Sequence, residues 1–150
     1  MANYYSETSF MIHFETKEKE TRAAEILQSL ENHEEEPCTG ELAELAKDMQ
    51  LDDWGDIGFM RTPEINPSQS WPDWWISHDE TINAAWAVLF FEYLVQKDLL
   101  KPFGFEWSNT CSKPRLDAFG GGACWITKEG TEWLSTSHWL GDKQENDDGR

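Results

Sequence analysis

The chain has 150 residues, 29 of them Asp or Glu against 12 Lys or Arg, for a formal net charge of −17. That length predicts one domain with its own core. The acidic balance argues against direct binding to DNA, RNA or an anionic membrane, because phosphate contacts need clustered cations. The longest apolar run, Ala84 to Phe91, is too short to cross a bilayer.

Alternation of Phe10, Ile12 and Phe14 with Ser9, Met11 and His13 predicts a strand over Ser9 to Glu15. Ala23, Ile26, Leu27 and Leu30 fall at helical spacing and predict a helix from Lys17 to Asn32, broken by Glu34, Glu35, Glu36 and Pro37. A second helix is expected from Gly40 to Gln50, capped by Thr39 and burying Leu42, Leu45 and Met49. Ile57 to Thr62 is a strand candidate ended by Pro63. Pro63 to Ile76 shows no clear period and is expected to be an ordered loop, closing with a short extended piece at Trp74 to Ile76.

Ser77 and Glu80 have capping-box spacing ahead of an apolar-rich helix, expected to reach Leu100 and stop before Pro102. Phe103 to Thr110 and Ala123 to Lys128 read as two strands of a hairpin joined by the long loop Cys111 to Gly122. Glu129-Gly130 then turns into a helix over Thr131 to Leu140, with Trp133, Leu134 and Trp139 inward and Gly141 at its end. The polar tail 142–150 has no apolar anchor and is expected to be disordered. This order predicts a single α+β domain over residues 1–141, a mainly antiparallel sheet with helices packed on one face.

Charge is concentrated between Glu31 and Asp56, where ten carboxylates face one lysine. Such a field can keep a protein soluble or draw in a basic partner. The carboxylates Glu34, Glu35, Glu36, Glu41, Glu44, Asp48, Asp52 and Asp53 are therefore the candidate partner-binding set. Trp71, Trp74 and Trp75, three indoles within five residues, either roof the core or supply rigid contact anchors. The loop at 111–122 gathers Lys113, Arg115, Gly120, Gly121 and Gly122. Consecutive glycines allow a nest of backbone N–H groups and an Arg fork grips phosphate, so this set is the candidate anion site. It matches no phosphate-loop or dinucleotide pattern, and a wide structural hairpin loop has the same composition.

Cys38, Cys111 and Cys124 make a sparse, odd count that fits reduced thiols in a cytoplasm, and no leader pattern opens the chain. Cys111 and Cys124 flank the loop as a candidate cross-hairpin thiol pair, though buried inert thiols have the same look. The four His show no metal-ligand spacing, no nucleophile–base pair stands out, and no cofactor is implied.

Trp107-x-x-Thr110-Cys111-Ser112-Lys113-Pro114-Arg115, then Phe119-Gly120-Gly121-Gly122 and Glu132-Trp133-Leu134, resembles a pattern in small prokaryotic and phage-borne proteins, as does the opening Tyr4-Tyr5-Ser6-Glu7. The resemblance covers the two ends better than the acidic middle and implies a prokaryotic or phage setting, without a known activity. The expectation is a non-enzymatic acidic protein that engages a basic protein, one form being a phage inhibitor of a nucleic-acid-binding host defence complex. The competing class is a small enzyme or anion-binding domain built on the 111–122 loop.

Overall fold

The N-terminal segment opens the fold by alternating. Tyr4–Glu7 (β1) and Ser9–Ile12 (β2) are extended on either side of Thr8. The computed structural model describes residues 3–32, 40–51, 57–115 and 118–148. Five further strands follow: Phe59–Glu64 (β3), Asp73–His78 (β4), Phe103–Cys111 (β5), Gly120–Thr127 (β6) and Gly130–Ser135 (β7). They form two antiparallel sheets, β1-β5-β6-β7 and β2-β4-β3. Thr8 is the point where the N-terminal segment passes from one sheet to the other. Its hydroxyl donates to the Glu106 carbonyl at 2.6 Å, while its own carbonyl accepts from the His78 N–H at 3.1 Å. The buried polar atoms of Thr8 are thus satisfied by both sheets at once.

Lys17–Glu31 (α1) is capped by Thr16, whose hydroxyl accepts from the Lys19 N–H at 3.2 Å. Its Ala23, Ile26, Leu27 and Leu30 are buried. Glu41–Asp48 (α2) buries Leu42 and Ala46 and packs on Ala84–Gln96 (α3), the core helix. Nine of the thirteen residues of α3 are buried, and Phe90 and Phe91 join Phe10, Phe59, Phe103 and Phe105 in a network of edge-on, tilted and stacked rings. Aromatic pairs of this kind add about 0.5–1.5 kcal/mol each beyond the area they bury. The α+β class with antiparallel pairing is as the sequence predicts, with two sheets where one was expected.

Several boundaries differ. The extended piece expected at Trp74 to Ile76 is the middle of β4, the central strand of the smaller sheet, with Trp74 and Ile76 inward and Trp75 outward. β3 runs on through Pro63, which its position at the sheet edge permits. Ser77 does not cap a helix: it lies in β4 opposite Ser9 and Met60, and Glu80 turns at φ +60°. Pairing on both sides of β4 outweighs a local cap worth ~1 kcal/mol. The helix begins later, at Asn83, whose side chain accepts from the Trp86 N–H, and stops at Gln96 rather than Leu100. Gly40 is the N-cap of α2, without a side-chain bond, while Thr39 lies outside the described residues.

The C-terminal third departs most. Residues 130–135 are a strand, not the start of a helix, because they complete a two-residue hairpin with β6 through Thr127↔Gly130. Trp133, opposite buried Cys124 and edge-on to Trp107, faces the inner side but stays half exposed, and Leu134 is half exposed on the outward face. The last helix, Thr136–Asp148 (α4), passes through Gly141 and occupies most of the expected disordered tail.

Candidate docking surface

Of the carboxylates singled out by sequence, Glu34, Glu35, Glu36, Asp52 and Asp53 lie outside the described residues. Glu41, Glu44 and Asp48 are exposed and share one stripe of α2 at i, i+3 and i+7. Glu41 pairs with Lys97, and that hydrogen bond holds the Lys97 ammonium above its usual range. Because α2 packs on α3, this stripe lies on the helical side of the sheets.

The three indoles do not act together. Trp74 is fully buried and donates to Glu20 Oε2 at 3.0 Å. Arg61 stands 4.7 Å from the centroid of the Trp74 ring and 3.6 Å from the same carboxylate. Trp71 is half-buried, pinned by its N–H to the Phe14 carbonyl at 2.9 Å. Trp75 alone faces outward, 41% exposed, with its N–H on Ser9 Oγ at 2.8 Å. Strand parity separates Trp74 from Trp75, so the acids of α2 do not rim an indole cluster.

Register gives each of the two sheets an outward face that composition alone does not. Residues opposite each other across antiparallel strands share a face, and the outward positions carry Glu7, Glu64, Asp73, Glu106 and Glu132. Interleaved with them are Met11, Met60, Trp75, Trp125 and Leu134, each at least two-fifths exposed. None of the outward strand residues is Lys or Arg. Glu7 accepts from the Thr110 hydroxyl at 2.9 Å, and Asp73 accepts from Asn66 and Gln69 at 3.1 Å and faces His13 Nδ1 at 2.8 Å. These bonds hold acids that would otherwise swing freely. Glu64 sits directly opposite Asp73, a like-charge pair that costs energy in isolation and is relieved by a cation.

The 111–122 segment is shorter as a loop than its sequence suggests. Gly120, Gly121 and Gly122 pair with Asn109, Ser108 and Trp107 in the β5–β6 ladder. Added methyls at 121 and 122 would collide with the Trp107 carbonyl and indole, so two of the three glycines serve close strand and ring approach. Thr136 bonds the Gly121 N–H at 2.9 Å. Lys113 and Arg115 are exposed, and among the described residues neither has a carboxylate partner.

Cys111 and Cys124 do not face each other: their ladder partners are Tyr4 and Phe105. Burial pushes the Cys124 thiol up to about 11, which leaves it protonated and poorly nucleophilic near neutrality. Among the described residues no three His, Cys, Asp or Glu side chains could hold a metal, and no helix is long and apolar enough to cross a membrane.

The outward acids of β1, β3, β5 and β7 escape a reading by charge density because each stands alone in sequence; only parity around Trp75 and Trp125 hints at them. No protein-family model, curated protein or solved structure matches the chain.

Proposed function

We propose that this is a non-enzymatic binding protein whose carboxylates steer it onto a basic protein surface and whose exposed aromatic and Met side chains supply the contact. The supporting observation is the outward positions of the two sheets, which carry five acids and five large apolar side chains and no Lys or Arg. Charge complementarity raises association rates, while buried aromatic anchors provide affinity. One specific form is a phage-encoded inhibitor acting in the host cytoplasm on a nuclease or other defence complex, of anti-CRISPR or anti-restriction type. Its acids would stand in for the phosphates of the nucleic acid that the complex binds.

The reading of an anion- or nucleotide-binding domain at 111–122 has less support, since the backbone of Gly121 and Gly122 is committed to the β5–β6 ladder.

The test is capture of host proteins on the immobilised chain at low and high salt, with mass spectrometry. The reading expects a basic protein retained at low salt, released at high salt, and rebound in purified form. Its purified form binding equally at both salt concentrations would sink the steering idea.

A further inference from the structure

The inner and outer faces of the smaller sheet invite comparison. Inside, Arg61 lies over the Trp74 ring and beside the Glu20 carboxylate, a cation held by an indole and an acid together. Outside, the next residue of β4, Trp75, has Met11 and Thr62 as ladder partners and Glu64 and Asp73 two positions away. Together with Ile65, which is 93% exposed, Met11, Glu64, Asp73 and Trp75 line a shallow cleft of about 510 Å³. The cleft has an indole, as inside, and two acids where the inner group has one, but no Lys or Arg lines it. Among the described residues His13 pairs with Asp73.

We propose that this cleft receives an arginine side chain of a basic partner protein, its guanidinium stacked on Trp75 and bridged to Glu64 and Asp73. The inference rests on the reading of the protein as a binder of basic surfaces and specifies where and how it binds. Arginine fits better than lysine for three reasons. Its planar guanidinium stacks on an indole, its forked donors match carboxylates, and it sheds water more readily than an ammonium. The opposed acids Glu64 and Asp73 gain most from a cation that spans both. Met11 and Ile65 offer apolar walls for the aliphatic stem, as such stems prefer.

The experiment titrates the ¹⁵N-labelled full chain with a capped peptide of alternating Arg and Gly, and separately with its Lys counterpart. The nine indole N–H signals serve as site-specific reporters. The Arg peptide is expected to move the Trp75 indole signal and leave that of buried Trp74 in place. Trp75→Ala is expected to weaken the Arg peptide about two- to fivefold, the range of an exposed cation–π contact, and to affect the Lys peptide less. Glu64→Gln, at an exposed position, is expected to weaken it similarly and answers the question even if Trp75→Ala folds poorly.

Equal binding of both peptides, unchanged by Glu64→Gln, would overturn the proposal. So would shifts confined to the stripe of Glu41, Glu44 and Asp48, an outcome that leaves the basic-partner reading standing and moves its site to α2. Absence of any shift with either peptide would overturn the cleft, whereas a salt-sensitive purified partner would still uphold the broader reading.

Discussion

Glu20 and Trp74 join the first helix to the central strand of the smaller sheet through one hydrogen bond, from indole Nε1 to carboxylate Oε2 at 3.0 Å. Both residues are buried, and Arg61 on the neighbouring strand shares the carboxylate. Removing the acid strands the buried Trp74 donor and takes away the carboxylate beside the part-exposed Arg61. Glu20→Ala is expected to cost about 1–3 kcal/mol, the usual penalty for leaving a buried partner unpaired. Urea unfolding followed by Trp fluorescence measures it. A loss within the noise of the midpoint would mean that water replaces the carboxylate without penalty.

Leu89 is fully buried in α3. Leu89→Ala is expected to cost roughly 2–5 kcal/mol, lost transfer energy plus a cavity that a packed helix cannot close. A thermal melt showing less than about 1 kcal/mol would contradict the central place of α3.

Two glycines make opposite predictions. A Cβ at Gly122 would lie 2.7 Å from Trp107 Cε2 and closer still to its neighbour in the ring, so Gly122→Ala is expected to lose about 1–3 kcal/mol. Gly141 sits within α4 with open space around it, so Gly141→Ala is expected to stabilise the helix by up to about 1 kcal/mol. Circular dichroism and melts on the pair decide this. An unstructured segment at 141 would show no gain in helical signal.

Cys124 predicts a pH dependence. Its thiol ionises near 9.0 when free of the fold and near about 11 within it. Between those values the folded state keeps a proton that the unfolded chain releases. The stabilising contribution is therefore complete below about pH 9 and is lost as pH rises from 9 through 11. Cys124→Ala should flatten the stability profile in that window. At pH 8, iodoacetamide should spare Cys124 in the native protein and modify it in denaturant. Equal native labelling would mean that the site opens readily.

Arg115 is exposed and lacks a carboxylate partner among the described residues, so Arg115→Ala is expected to leave the melting temperature almost unchanged. Screening nucleotides by thermal shift should give no rise in the wild type. A rise that Arg115→Ala abolishes would revive the anion site.

The two long core helices were legible because Leu27 and Leu30, or Leu89 and Phe90, mark their buried faces by local spacing alone. β4 was legible only as an extended piece at Trp74 to Ile76; its inward pair is short and follows three prolines, so its full length and central place depend on the flanking strands. Trp133 and Leu134 misled for a related reason. An apolar pair suits an inward helix face as well as a half-exposed edge strand, and the hairpin closed by Gly130 is what selects the strand. In the candidate site, the exposed stripe of Glu41, Glu44 and Asp48 follows from helical spacing. The outward sheet acids depend on register between segments far apart in the chain, which no local pattern encodes.

The Thr8 junction also governs when this molecule can become whole. β1 leaves the ribosome before β5, so the Ser6 hydroxyl must wait for Asn109, 103 residues later, before it can donate its hydrogen bond. Until β5 emerges, β1 presents a bare edge, and the smaller sheet can close around β4 only on one side of Thr8. Closing so long a loop is paid for before its contacts return anything, which makes this step slow. A nascent chain halted before Phe103 would hold β2, β3 and β4 together while its opening residues remain without a strand to join. β1 is made well before β5 and is fastened only once β5 has followed.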